Sequence, residues 1–355
     1  MREMVTLYVI STEAYAGKTG ICLSLGLLMK EAGQKIGYMK PIGTTPGRVD
    51  DKTVDLDAYY VLKRLDIAND IEDVAPISLT RKFMHDHLKG EGIDSAGIIK
   101  QAFTKISQGK DVVLLENGAD VNEGRFINAA AFQISSLLNT NVVLIVKYRS
   151  ELVVDDILEA RDLIGDKFKG VIFNQVESSQ RPVVDMIESY LITRDIKTYG
   201  IIPKDRVLMS VTVGEIAETL HGTVLTASDK MDEFVENFMV GAMGQEKALR
   251  FFQRTANKAV ITGGDRADVQ LAALETPTKA LILTGNLQPS PIVLARAEDL
   301  GVPMILVDMD TAAAVEKTDE LIGKVRIHQA QKVQRVYDLV KSTVDYSALF
   351  NDIGI

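Results

Sequence analysis

Short apolar runs alternate with longer amphipathic stretches along the first part of the chain. Residues 5–10, 35–39, 111–115, 141–146, 169–173 and 196–200 are rich in Val, Ile and Leu, and several have almost no polar interruption. That is the pattern of parallel strands covered on both faces. Between them, 21–30, 56–65, 95–107, 128–138, 152–163 and 181–192 place apolar residues at helical intervals. The alternation predicts an α/β fold built on a doubly wound parallel sheet. It pauses around 201–206 and then resumes. Strands are expected at 257–262, 279–284 and 302–307, and helices at 245–252, 266–274, 292–300 and 311–321. The reading is a first domain over 1–206, a second, smaller α/β domain over 207–322, and a C-terminal helix and tail over 323–355. Within 329–344, Val333, Tyr337, Val340 and Val344 share one helical face. That helix is expected to dock on its own chain; a dimer contact or a join to a further domain are the alternatives.

In a doubly wound sheet, ligands sit beyond the carboxyl ends of the strands. The residues just after each strand therefore carry the candidate chemistry. The first strand runs into Ser11-Thr12-Glu13-Ala14-Tyr15-Ala16-Gly17-Lys18-Thr19, and a helix follows. In that strand–loop–helix setting a Gly-Lys-Thr ending points to phosphate binding. Loop N–H groups and the helix N-terminus face an anion, and the helix dipole favours negative charge there. Lys18 would reach the outer phosphates and the Thr19 hydroxyl would ligate Mg²⁺. The first glycine of the usual G-x-x-x-x-G-K-[ST] pattern is Thr12 here. The candidate phosphate cradle is Thr12, Glu13, Ala14, Tyr15, Ala16, Gly17, Lys18 and Thr19.

Lys40 follows the second strand, either as a cation for a phosphate or substrate carboxylate or as an exposed surface lysine. Asp55 and Asp57 precede the next helix; they favour its N-terminus or hold Mg²⁺. Glu116 ends the third strand, where a carboxylate is costly in a core but apt at an Mg²⁺–phosphate site. Lys147 and Arg149 form a basic edge after the fourth strand. Asn174, after the fifth, offers donor and acceptor together for a purine edge, or caps the next turn. No residue stands out as a general base. His85 and His87 form a lone His-x-His, expected in a solvated loop rather than on a metal. Met231, Met239 and Met243 follow helix-like spacing and read as packing residues. In the second series, Thr262-Gly263-Gly264 and Thr284-Gly285-Asn286 each follow an apolar strand. Such turns bring backbone N–H groups to a ligand, or are simply tight turns. Asp265, Arg266 and Asp268 would open the next helix, with Arg266 available to an anion.

Composition narrows the classes. At 355 residues the chain holds about two domains of ~150 residues. Its 46% hydrophobic and 25% charged residues are globular values. A net charge of −9 argues against a general nucleic-acid binder, so no nucleic-acid partner is expected. No apolar stretch reaches ~18 residues, so no membrane partner is expected. The first strand begins almost at once and leaves no room for a signal peptide. Cys22, the single cysteine, excludes an internal disulfide and reads as a core residue rather than a nucleophile. A cytoplasmic setting is expected.

Ser11–Thr19, Lys40-Pro41, Asp57, Glu116-Asn117-Gly118-Ala119 and Asn174 resemble the dethiobiotin synthetase group of P-loop proteins, which also includes the ATP-dependent cobyrinate amide synthases. The resemblance covers about residues 3–206. It implies ATP and Mg²⁺ as cofactors, Lys18 and Thr19 on the phosphates and metal, and Asp57 and Glu116 as metal ligands. It further implies Lys18 and Lys40 as the catalytic lysines and Asn174 as the reader of the adenine. Gly241-Ala242-Met243, 261–268 and 283–290 resemble the DRTGG domain. The pairing of the two is similar to the N-terminal regulatory half of long phosphotransacetylases and to stand-alone phosphotransacetylase-like proteins. The catalytic phosphotransacetylase domain would follow after residue 355, so acetyl transfer is not expected of these residues by themselves.

Two departures limit the resemblance. Asn286 replaces the second glycine of the DRTGG domain's Thr-Gly-Gly segment, and Asn117-Gly118-Ala119-Asp120-Val121 replaces the synthetase's glycine-rich stretch; the missing substrate-pocket signature favours regulation over synthesis. The expectation is an ATP/Mg²⁺-binding regulatory module, a weak ATPase at most. Its second domain would sense a partner, or a small-molecule effector through Gly263, Gly264, Asp265, Arg266, Thr284 and Gly285. A homo-oligomer is expected. The alternative is an ATP-dependent ligase that activates a carboxylate as an acyl phosphate, with Lys40 and Lys147 around the phosphate loop. A scaffold with a vestigial nucleotide site is the third reading.

Overall fold

The computed structural model describes residues 4–50, 52–323 and 327–355. The chain forms two compact units, Met1–Lys204 with Ile327–Ile355, and Asp205–Arg326.

The first unit is built on six parallel strands in the order Thr198–Pro203, Phe168–Val176, Asn141–Lys147, Val5–Ser11, Val112–Glu116, Ile36–Met39. Val112–Glu116 and Ile36–Met39 are buried at every position, as expected of strands with helices on both faces. The chain departs from the first strand in both directions across the sheet, and such a reversal of strand order opens a crevice at the carboxyl ends. Register places the candidate residues at that edge: Val9 lies opposite Glu116, Ser11 opposite Ile145, and Lys147 opposite Asn174. The helix Lys18–Glu31 starts in the loop after the first strand. Asp55 caps the helix Leu56–Arg64 by accepting from the Ala58 N–H at 2.8 Å.

The C-terminal helix Ala330–Thr343 docks on its own chain, packing along Lys18–Glu31. Val336 and Val340 are buried in that contact, while Val344 bridges to Gly200. Tyr337 and Lys341 both reach the Glu31 carboxylate. A last helix, Tyr346–Ile353, lies against the strands Val5–Ser11, Phe168–Val176 and Thr198–Pro203.

The second unit has a five-stranded sheet in the order Thr223–Val224, Met304–Leu306, Thr278–Thr284, Lys258–Gly263, Asn237–Val240. Only the short Thr223–Val224 edge is antiparallel. Alternation along the strands fills two separate cores. Val260, Leu281, Leu283 and Met304 face one, and Ala259, Ile261, Ala280, Ile282 and Ile305 face the other. Two sequence expectations fail here and in the first unit. Met239 lies in the extended edge strand Asn237–Val240, so the helix-like methionine spacing is coincidental; Met239 is a core residue and Met231 packs against the other core as expected, but Met243 is exposed. His85 and His87 lie on a helix, Arg81–Leu88, capped by Thr80, rather than in a loop.

Lys258 opens a central strand fully buried, with its ammonium donating to the Pro277 carbonyl at 3.1 Å. Burial pulls its pKa from 10.5 down to about 8. A depressed lysine penalises folding wherever it is charged in the unfolded chain, and the penalty fades as pH rises from about 8 to 10.5. Lys258→Met should therefore stabilise the protein at pH 7, by about 1 kcal/mol or roughly 2–4 °C in Tm. The gain should vanish above about pH 10.5 in thermal melts run across that range.

Candidate phosphate-binding site

Two residues in the left-handed region turn the loop after the first strand, Tyr15 at φ 56° and Gly17 at φ 88°. Thr12, Glu13, Ala14, Gly17 and Thr19 are half-buried, Tyr15 is exposed, and Ala16 and Lys18 are buried. The loop is held from the fifth strand. Asn174 donates to the Ala16 carbonyl at 2.8 Å, Gln175 donates to the Tyr15 carbonyl at 3.2 Å, and the Asn174 carbonyl oxygen accepts from the Gln175 N–H. A side chain at position 17 would run into the Asn174 amide. Asn174 is thus engaged with the loop backbone.

Lys18 points back along the loop. Its ammonium donates to the Ser11 hydroxyl at 2.6 Å, the Ala119 carbonyl at 2.7 Å and the Glu13 carbonyl at 3.5 Å. Burial pulls its pKa down to about 8 against the opposing charge of Glu116. Three protons already directed at three oxygens mean that a phosphate must displace at least one of them.

Glu116 is the hub of the metal side. Oε1 accepts from the Thr19 hydroxyl at 2.6 Å and Oε2 from the Tyr38 hydroxyl at 2.8 Å. Burial raises its pKa, opposed by Lys40 and by the Thr19 and Tyr38 hydrogen bonds, and reinforced by the nearby Asp57 carboxylate. Lys40 is almost fully buried and bridges Asp55 at 3.0 Å and Asp57 at 3.3 Å. Asp57 also accepts from the Thr45 hydroxyl at 2.9 Å. The structure therefore brings Lys18, Thr19, Lys40, Asp57 and Glu116 to one strand edge. The donors offered there are a hydroxyl and carboxylates, hard oxygens of the kind Mg²⁺ takes alongside water and phosphate. Among the described residues no group of three or more His, Cys, Asp or Glu side chains could hold a metal by itself.

Two partners had no strong signal in the sequence. Glu13, inside the loop, pairs with Arg149 and lies 3.9 Å from Lys147, so the basic edge after the fourth strand is answered by the loop's own carboxylate. Glu123 folds back so that its carboxylate accepts from the Ala119 N–H, one peptide group away from the oxygen that Lys18 holds. Gly118 leaves room for that carboxylate, which a side chain at this position would have to displace. Burial raises the Glu123 pKa, and Asp120 adds to the rise. The paired glycines 118 and 124 around an acidic loop were the only hint.

In the second unit, Gly264 has no room for a side chain against the Leu287 backbone. The buried Gln270 donates to the Gly263 and Gly264 carbonyls at 2.9 and 3.0 Å. Thr284 and Thr311 share a hydroxyl hydrogen bond of 2.8 Å. Arg266 is engaged by Asp268 and by the Met243 carbonyl. Gly285 and Asn286 both turn in the left-handed region after the strand, and Asp265 lies between Gly264 and Arg266.

Residues 5–212 match the family described as AAA domain, and residues 215–321 match the DRTGG domain. A phosphate acetyltransferase of Nitratidesulfovibrio vulgaris is 23% identical over 97% of this chain and 51% of its own length. One of Synechocystis is 24% identical over 98% of this chain and 51% of its own. An ATP-dependent dethiobiotin synthetase of Caldicellulosiruptor saccharolyticus is 26% identical over 53% of this chain and 81% of its own. The chain thus spans about half the length of the phosphate acetyltransferases it matches. No helix among the described residues is long and apolar enough to cross a membrane.

Proposed function

The chain belongs to the AAA domain family through residues 5–212, and from that premise we propose that it is a regulatory module that binds Mg²⁺–ATP. Thr19, Asp57 and Glu116 would hold the metal, which when bound neutralises phosphate charge. Lys18 would leave the Ala119 carbonyl to meet the phosphates. The second unit would sense a partner or a small-molecule effector at the strand ends that carry Gly263, Gly264, Asp265, Arg266, Thr284 and Gly285. Its phosphate acetyltransferase relatives align with nearly all of this chain along about half of their own length, and that supports a role in controlling another activity.

One observation carries the choice of regulator over ligase: the cations flanking the loop, other than Lys18 itself, already face carboxylates of the chain. Lys40 is held by Asp55 and Asp57, and Lys147 and Arg149 face Glu13. A ligase that activates a carboxylate needs a cation facing the acceptor, and Glu123 beside Lys18 would repel such an acceptor. Water, being neutral, meets no such repulsion, which suits slow hydrolysis at most.

The test is calorimetric titration of ATP with Mg²⁺ into wild type and Lys18→Ala. Loss of charge-assisted bonds of about 1.5–3 kcal/mol should weaken binding roughly 10- to 100-fold. Equal affinities would show that Lys18 is not at the nucleotide. Strong stimulation of ADP release by a small carboxylic acid would replace the regulatory reading with the ligase.

A further inference from the structure

The metal side of the phosphate loop is touched by a segment outside both matched ranges. The matches end at residue 321, yet residues 327–355 are part of the first unit. Two consecutive residues of that segment reach the two elements that carry the metal-ligand candidates. Ile327 lies on Gly20, directly after Thr19: a side chain at 20 would come 2.5 Å from the Ile327 Cδ1 and 3.2 Å from Val336. His328 lies on the helix Leu56–Arg64, with its ring 4.6 Å from that of Tyr60. Its Nε2 faces the Asp57 Oδ1 at 3.5 Å. The other Asp57 oxygen is held by Thr45 and Lys40.

The His328 Nε2 is buried and has no hydrogen-bond partner among the described residues. A buried ring nitrogen without a partner is costly, so its position calls for one. The Asp57 oxygen is a few tenths of an ångström beyond hydrogen-bond range. A small turn of the carboxylate toward His328 would bring that bond into range.

We propose that His328 is a positioning residue for the Mg²⁺–nucleotide site, fixing the Asp57 carboxylate from the C-terminal segment. The inference rests on the proposed Mg²⁺–ATP reading. Hydrogen bonds of this kind to a ligating carboxylate set metal affinity by about 10- to 100-fold.

ATP affinity is to be measured across a Mg²⁺ titration and again in excess EDTA, for the full chain, His328→Ala, His328→Gln, Asp57→Asn and His328→Ala/Asp57→Asn. His328→Ala should raise the half-saturating Mg²⁺ concentration about tenfold and leave Mg²⁺-free ATP binding unchanged. His328→Gln, which keeps a donor, should recover most of the loss. The double variant should be no worse than Asp57→Asn. An unchanged Mg²⁺ requirement in His328→Ala, an equal loss without Mg²⁺, or no recovery by Gln overturns the assignment. Wild-type binding that is strong but indifferent to Mg²⁺ removes the metal reading itself, and His328 with it.

Discussion

Lys40→Met should unfold the first unit at much lower urea than wild type, at a cost of about 3–5 kcal/mol. The Asp55 side chain is completely buried and Asp57 is half-buried, and the substitution strips both of their shared ammonium. Domains are stable by only about 5–15 kcal/mol, so this loss is a large share of the total. Asp55 keeps the Ala58 and Thr45 N–H donors, at 2.8 and 2.9 Å, which limits the damage. Lys40→Met/Asp55→Asn should accordingly recover half or more, since Asn keeps the helix cap without the charge. Burial opposes the Lys40 charge, but Asp55, Glu116 and Asp57 outweigh it and hold the pKa above the ordinary lysine value. Its contribution is therefore complete at neutral pH and is lost only as pH climbs beyond about 10.5. The gap between wild type and Lys40→Met should be flat from about pH 6 to 9. A gap below about 1 kcal/mol, or no recovery in the double variant, would mean that the pair is solvated in solution.

That ion pair marks where sequence reading stops. The apolar runs and helical spacings located the main parallel strands and covering helices, because burial on both faces leaves a one-dimensional trace. The strand-end rule then brought Lys18, Thr19, Glu116 and Asn174 to one edge. Asp55 escaped as the partner of Lys40 because it arrives on a short antiparallel hairpin, Pro46–Val49 with Lys52–Asp55, too polar and brief to show a period. The edge strand Asn237–Val240 was hidden by its polar flank and by methionines spaced as if on a helix. Glu13 was legible only as a member of the candidate phosphate cradle and Glu123 carried no strong signal, since nothing local says that a carboxylate will fold over a peptide or across to Arg149. The contact of His328 with Asp57 joins positions that no local pattern can relate.

Gly17→Val should cost more ATP affinity than any other single change in the loop, roughly 100-fold or more. A β-branched residue at φ 88° carries about 1–3 kcal/mol of strain. Its side chain would also displace the Asn174 amide, and with it the bond that holds the Ala16 carbonyl. Those two effects turn the loop N–H groups away from the position an anion would take, and 100-fold corresponds to about 2.8 kcal/mol. They separate in a second pair of variants. Gly17→Ala keeps the strained φ and the collision at lower severity, and Gly17→Ala/Asn174→Ala removes the collision. If crowding dominates, the double variant should bind ATP better than Gly17→Ala; if the left-handed turn dominates, it should bind no better. Titrations with Mg²⁺ at matched folded fractions decide between them. Wild-type affinity in Gly17→Val would mean that the nucleotide does not use this loop in the conformation that Asn174 and Gln175 hold.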